Sequence, residues 1–506
     1  MNFLFVHQNF PGQYLHIVRS LLADNEVRPG THEIVFMTEP NQNHMPGVRK
    51  VTYAKPPEMS PTLAWDTREY ETSARRAQAA YRGALQIKAL GFQPDVIIGH
   101  HGWGELLNLV DAFPGVPVIG YFEFYYRILG TDVNFDPEFP MDQAMYGGVR
   151  GKNSTNLLAL NLEQYGQTPT KWQHSTYPEW AKKNIRIIEE GVDLDICSPD
   201  PAAHKKTLTV GKLTVTPKQK LITYVARNLE PYRGFHTVMR ALPRILRERP
   251  DVVVSLVGGD GVSYGVLPRQ GGNWRNHMMK EVGDGIDLSR VHFMGKVTYE
   301  EHLALLRRSD AHVYLTYPFV ASWSLREALA CGCVVVGADT QTVTEFVQHE
   351  VTGLTTPTLD HNALADSVLR ALGDTRLAAK LRANAREFAE KKLGMADYIA
   401  RYRAYVEEVT GKQLLPPGPP PEVKTTVKTG AKEKGKPVPA KAAAEKATPV
   451  KQPAPAAAAK TAPAAKATKP APAKTAKPVK PAAPVKTAAK PVKAVKKPAP
   501  AKGVKR

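Results

Sequence analysis

Two doubly wound α/β domains in series, trailed by a long basic tail, are what this sequence of 506 residues predicts. Three observations carry the prediction. Short continuous apolar runs alternate with helical stretches, as expected of parallel strands buried on both faces. The alternation stops and restarts around a segment rich in Pro, Gly, Asp and Lys, which reads as a hinge. Beyond residue 410 the composition shifts to Lys, Ala, Pro, Val and Thr without a single aromatic.

Taken in order, the first series reads as strands at 3–6, 33–37, 96–99, 118–122, 157–160 and 185–188, with helical stretches at 15–23 and 104–111. The second reads as strands at 221–226, 252–257, 291–294, 311–315 and 333–337, separated by helices such as 236–247, 299–308 and 363–372. This pattern places an N-terminal Rossmann-like domain at 1–189, a linker at 190–219 and a second Rossmann-like domain at 220–374. A helical stretch at 375–410 is long enough to pack back on the first domain. The segment 411–506 cannot bury enough apolar surface to offset its ordering entropy and is expected to be disordered.

The formal charge of +20 suggests a polyanion binder, but its distribution says otherwise for the folded part. Residues 421–506 hold 22 of the 68 Lys and Arg and 3 of the 48 Asp and Glu, leaving 46 basic against 45 acidic groups before them. The three cysteines, Cys197, Cys331 and Cys333, form no disulfide framework and lack the second ligand pair of a zinc site. The opening run MNFLFVHQNFPGQY is too short and too uncharged for a signal peptide, and no apolar run reaches membrane-spanning length. A reducing cytoplasmic setting is expected.

Chemistry concentrates where strands end. The run LITYVARNLEPYRGF carries a strand into a loop in which Arg227 and Arg233 flank a tight turn before a helix. Guanidinium groups so placed can grip a diphosphate, and they can equally be two solvated surface arginines. Further on, a polar loop leads to a helix that starts near Ser324, where free backbone N–H groups suit an anion. Glu327 in its first turn fits the S-x-x-E capping box, and it fits a ribose-binding carboxylate as well. His100-His101 close a strand of the first domain near the expected cleft, with helix-start or core packing the role of at least one of them. Asp193-Leu-Asp195 matches a metal-binding D-x-D string, but its setting after Gly191-Val192 favours a turn.

From Ile222 to Pro357 these pieces together resemble a family 4 glycosyltransferase of the GT-B fold: ARNLEPYRGF, MGKVTYEEHLALLRRSDAHVYLTYPF, and SLREALACGCVVVGADTQTVTEF with TGL beyond. FVHQNFPGQY, PDVIIGHHGWGE and IIEEGVDLDICSP extend the resemblance over residues 1 to 410. It implies two domains facing a cleft and retaining transfer of a hexosyl group from a nucleotide diphospho-sugar, the donor being a substrate rather than a cofactor. No metal is expected. It assigns Arg227 and Arg233 to the diphosphate and Glu327 to the ribose. The amides of Ser322, Trp323, Ser324 and Leu325 fall to the sugar and β-phosphate, Val297 to the base, and Gly12 to close backbone approach from the opposite domain. Glu123 stands where many members place a histidine facing the acceptor, with His100 and His101 on that side. Phe319 replaces the first glutamate of the E-x7-E motif, and Arg233 replaces the usual lysine with a one-residue offset.

The resemblance points to a glycan, a lipid-linked sugar or a small molecule as acceptor, and to polysaccharide biosynthesis. The 421–506 tail suits an anionic membrane face or a polyanion, making the protein cytoplasmic and peripheral on the inner face of the membrane; without interleaved aromatics, sequence-specific nucleic-acid recognition is not expected. Two rival readings stand beside the enzyme. One is a polyanion-binding scaffold with a degenerate transferase domain, and the other a sugar-nucleotide epimerase on the same fold.

Overall fold

The computed structural model describes residues 1–415 except 59, 61, 62 and 163. The expected disordered tail therefore lies outside the described residues, save for its first few positions. Seven parallel strands form the first sheet: β1 (Asn2–Val6), β2 (Glu33–Thr38), β3 (Arg49–Thr52), β4 (Val96–His100), β5 (Val118–Tyr121), β6 (Tyr165–Thr168) and β7 (Ile185–Ile187), in the order β3-β2-β1-β4-β5-β6-β7. A small antiparallel hairpin, β8 (Leu208–Val210) with β9 (Leu213–Val215), precedes the second sheet. That sheet is also parallel and comprises β10 (Lys220–Asn228), β11 (Val252–Gly259), β12 (Val291–Gly295), β13 (Ala311–Tyr314), β14 (Val335–Ala338) and β15 (Leu354–Thr356), in the order β12-β11-β10-β13-β14-β15.

The strand order reverses between β1 and β4 in one sheet and between β10 and β13 in the other. Such switch points open a crevice at the carboxyl ends of the strands. His7 and His100 follow or end the first pair, and Arg227 and Thr316 lie at the end of the second.

Several elements depart from the sequence reading. The apolar run 157–160, read as a strand, lies in the helix Ser154–Asn161, and the strand of that region is β6, whose sequence YGQT carries little apolar signal. Gly166 is needed there because a Cβ would sit 2.8 Å from the Asn184 carbonyl oxygen and 2.9 Å from the Phe122 ring. The 22-residue helix Arg68–Ala89 buries only small residues and Ile87, so its apolar stripe is faint in sequence. The 190–219 linker is partly built, since the β8–β9 hairpin packs Val210, Leu213 and Val215 against Leu221 and Val253 of the second domain.

The 375–410 stretch is two helices, Thr375–Lys392 and Met395–Thr410, broken at Leu393-Gly394. The break follows from a crossing at the joint: Val192 N–H donates to Leu393 O (2.8 Å) and Met395 N–H donates to Val192 O (3.0 Å). A Cβ at Gly191 would lie 2.7 Å from Met395 Cα, so only glycine admits this approach. The last helix then returns to the first domain, burying Tyr398, Tyr402, Tyr405 and Val406 with Phe3, Phe5 and Tyr14. The buried guanidinium of Arg403 donates to Asp24 Oδ2 (2.8 Å), and the same oxygen accepts from His32 Nε2 (2.9 Å).

Candidate active site between the two sheets

On the second domain, β10 carries Arg227 out to an exposed position where its side chain has no hydrogen bond or ion pair among the described residues. Arg233 differs. It is buried, its Nη1 donates to Thr316 Oγ1 (2.8 Å) and Val320 O (2.9 Å), and its guanidinium lies 4.9 Å from the Tyr264 ring centre. It therefore fixes the loop between β13 and the helix Trp323–Ala330 while adding positive charge beneath it. The turn that places it depends on Gly234, which has φ +71° and whose Cβ would come within 2.3 Å of Leu315 Cβ. Glu230, fully buried in the same turn, accepts from the N–H groups of Ser263 (3.0 Å), Tyr264 (3.3 Å) and Gly265 (2.9 Å), tying the loop after β11 to it.

The helix expected near Ser324 begins at Trp323, with Ser322 as its N-cap residue. This shift of register decides the role of Glu327, because Ser324 is not the cap and the capping box does not form. The Glu327 carboxylate accepts instead from His302 Nε2 (2.9 Å). The four amides also divide. Ser322 N–H donates to Tyr314 Oη (2.7 Å) and Leu325 N–H to Ser322 O (3.2 Å), which leaves those of Trp323 and Ser324 in the unpaired first turn. Val297, just beyond Gly295, is half-buried and packs against the cluster that holds Leu221, Val253 and Val257.

On the first domain, Gly12 has φ +56° and its Cβ would lie 2.8 Å from His7 Nδ1, so its backbone runs directly over that ring. The His7 ring is 5.9 Å from that of His100, which stacks between Trp103 (5.6 Å) and Tyr121 (5.2 Å). Burial, with the charge of His100 adding to it, pushes His7 down to about 4, so it is neutral at pH 7. Glu123 holds its carboxylate 3.7 Å from His100 Nε2 and is 36% exposed. Burial works to raise its pKa, but His100, His7 and Arg227 outweigh it and hold the carboxyl below the usual carboxylate range. Arg227 of the second domain thus reaches Glu123 of the first electrostatically. Beyond β5 the backbone of 123–126 leaves the sheet, and side chains satisfy it: Gln173 and Asn156 donate to Glu123 O and Phe124 O, and Asn153 pairs with both polar groups of Tyr126.

A match to two family descriptions accompanies this geometry: "Glycosyl transferase family 4 group" over residues 30–197 and "Glycosyl transferases group 1" over 207–388. The chain is a family 4 glycosyltransferase of the GT-B fold. Among curated relatives, the D-inositol 3-phosphate glycosyltransferase of Jonesia denitrificans is 25% identical over 224 residues, which cover 43% of this chain and 50% of that protein. The chain thus spans about half the length of that relative. A glycogen synthase of Mycobacterium tuberculosis is 24% identical over 409 residues, 74% of this chain and 84% of the relative. Among solved structures, the sucrose-phosphate synthase of Thermosynechococcus elongatus superposes with a TM-score of 0.61 at 18% identity, covering 81% of this chain and all of that one. Anabaena Alr3699/HepE in complex with UDP and glucose superposes with 0.55 at 16% identity, covering 80% and 99%.

Within this glycosyltransferase, two residues singled out from sequence are buried in packing. His101 is fully buried, packs 4.5 Å from the Phe122 ring and has no hydrogen-bond partner for either ring nitrogen among the described residues; burial pushes it down to about 3. It is a neutral core residue and no part of the acceptor side. Phe319 is only 3% exposed and joins an aromatic cluster that bridges the domains, with Phe124 at 4.6 Å, Tyr264 at 5.1 Å and Tyr232 at 5.4 Å. Its carbonyl accepts from Trp172 Nε1 (2.7 Å). Asp193 accepts from the N–H groups of Asp195 and Ile196 (3.0 Å each), the turn expected of that string.

Sequence reasoning missed the residues that tie the lobes together. A strap from the first domain brings Asp132 to Tyr232 Oη (2.5 Å), Asp136 to Tyr317 Oη (2.6 Å) and His236 Nε2 (3.0 Å), and Glu138 to Arg240 (2.7 and 2.8 Å). The acidic pattern D-x-x-x-D-x-E in 132–138 was the only local signal, and it does not name a partner.

Proposed function

We propose that this glycosyltransferase moves a hexosyl group from a nucleotide diphospho-sugar to a hydroxyl-bearing acceptor, a glycan, lipid-linked sugar or small molecule, with retention and without a metal. One observation carries the reading. An unpartnered guanidinium, Arg227, and two unpaired helix-start amides, those of Trp323 and Ser324, stand at the switch point of one sheet, and Glu123 and His100 stand at that of the other. Negative charge accumulates on a departing diphosphate. Preorganised donors that need not reorganise as it grows are the strongest means of stabilising it. Arg233 supports this from beneath by holding the loop that leads to the helix, and Glu327, oriented by His302, is left to accept from a ribose diol.

Glu123 has a complementary role. A carboxyl held below its usual range stays ionised at neutral pH and is a weak base, which suits it to orient an acceptor hydroxyl as a hydrogen-bond acceptor. The relative named for D-inositol 3-phosphate and the solved neighbour in complex with UDP and glucose lend support to a nucleotide-sugar donor and a hydroxyl-bearing acceptor. A thermal-shift screen of UDP-, GDP- and ADP-sugars followed by turnover assays tests the reading. A ligand at about a hundred times its Kd raises stability by roughly 2.7 kcal/mol, and a flat response to all three bases would remove the donor assignment. Product formed from donor alone would move the reading to an epimerase.

A further inference from the structure

A buried carboxylate at the joint touches both halves of the site, and nothing above uses it. Glu190 is 7% exposed and follows β7 where the chain leaves the first domain. Its Oε1 accepts from Tyr121 Oη (3.2 Å), and Tyr121 ends β5 with its ring stacked 5.2 Å from His100. Its Oε2 accepts from the indole Nε1 of Trp323 (2.7 Å), the first residue of the helix whose first-turn amides are unpaired among the described residues. The guanidinium of Arg326, 1% exposed, lies one turn further along the same helix and 3.9 Å from that oxygen, while its Nε and Nη1 have no hydrogen-bond partner among the described residues.

We propose that Glu190 is a positioning residue that sets the first turn of the Trp323–Ala330 helix against the acceptor face, so that the donor cradle and the Glu123–His100 pair keep one spacing. The inference rests on the donor reading given above. Three physical reasons support it. A helix of 8 residues has little rigidity of its own, so a side-chain tether at its first residue controls where its unpaired amides point. The tether is a charge-assisted hydrogen bond, the strong kind, whose carboxylate end is buried although Trp323 itself is half-exposed. It also has a charge reason to stay, because Glu190 is the carboxylate beside the buried Arg326, and an uncompensated buried cation is costly. The contact spans 133 residues of sequence, and the joint is the place where the domains of such an enzyme would move against each other.

The test uses the full chain labelled with 5-fluorotryptophan, the Trp323 fluorine resonance being assigned by its loss in Trp323→Phe. UDP is the binding probe. In the free protein, Tyr121→Phe should move the Trp323 resonance although the two residues sit in different domains, and the shift should vanish when Tyr121→Phe is made on a Glu190→Gln background. Glu190→Gln and Trp323→Phe should each weaken UDP binding by about tenfold, the loss expected of one charged hydrogen bond. Glu190→Gln also lowers the melting temperature by exposing Arg326 to an unpaired state, whereas Trp323→Phe leaves that charge pair intact and so isolates the tether. A Trp323 resonance indifferent to Tyr121→Phe, or UDP affinity unchanged in folded Trp323→Phe, overturns the proposal. Failure of the wild type to bind UDP, GDP or ADP would instead strike the donor reading, while the free-protein arm still reports whether Glu190 couples the two faces.

Discussion

Replacing Arg227 by Ala separates binding from folding more cleanly than any other change in the site. The side chain is exposed and makes no hydrogen bond or ion pair among the described residues, so its removal leaves the core untouched. A surface change of this kind alters stability within roughly 0.5 kcal/mol. Loss of one preorganised donor to a developing oxyanion costs about 3 kcal/mol of transition-state stabilisation, a fall in kcat/KM of roughly 150-fold. A second consequence is independent of rate. Arg227 helps hold the Glu123 carboxyl below its usual range, so its removal lets that pKa rise. On the proposed role the ionised form is the one that orients the acceptor, and it is lost as pH falls through the folded pKa; the acid limb of the pH–rate profile should therefore move to higher pH in Arg227→Ala. Donor turnover across pH 3 to 8, taken beside a chemical denaturation curve, measures both. Near-normal kcat/KM in the folded variant, or an acid limb that does not move, refutes the reasoning.

Arg233→Ala should lose activity and stability together, by about 3 kcal/mol or more in denaturant, because it leaves Thr316 Oγ1 and Val320 O without their donor and opens a void beside Tyr264. Glu327→Gln should raise the UDP dissociation constant roughly tenfold or more with little change in melting temperature, since it weakens a charged acceptor already oriented by His302. Gly234→Ala should destabilise by about 2 kcal/mol or more, seen as a lower denaturation midpoint, given φ +71° and the approach to Leu315. A chain ending at residue 415 should keep donor turnover but lose salt-sensitive sedimentation with anionic vesicles, because 22 of the Lys and Arg lie in 421–506. Vesicle binding that survives the truncation would place the attraction elsewhere.

Most of the architecture was legible because buried parallel strands write themselves as uninterrupted apolar runs. β1, β4, β10 and β13, the strands that flank the switch points, each read that way, and so does β11. The misread segments lack such a signature. The apolar run LLAL at 157–160 is too short to distinguish strand from helix, and its neighbour β6 is held by pairing to β5 and β7 more than by its own side chains. The C-terminal stretch breaks at Gly394, where Lys391-Lys392 and the glycine are a helix-stop signal and the crossing at Val192 fixes the joint.

By itself, the sequence determined the strand–loop–helix units, the glycines their turns require and the cationic and carboxylate groups each unit delivers to a strand end, because these depend on neighbours a few residues away. Tertiary structure alone decided what each group does there. Packing made Arg233 a buried loop anchor and left Arg227 exposed, without a hydrogen bond or ion pair among the described residues; it also turned His101 into the core, gave Glu327 to His302 rather than to a capping box, and brought Glu190 to Trp323. Those outcomes hinge on side-chain directions set across 25 to 133 residues of chain, as the His302–Glu327 and Glu190–Trp323 pairs show, and no local pattern encodes a direction over that range.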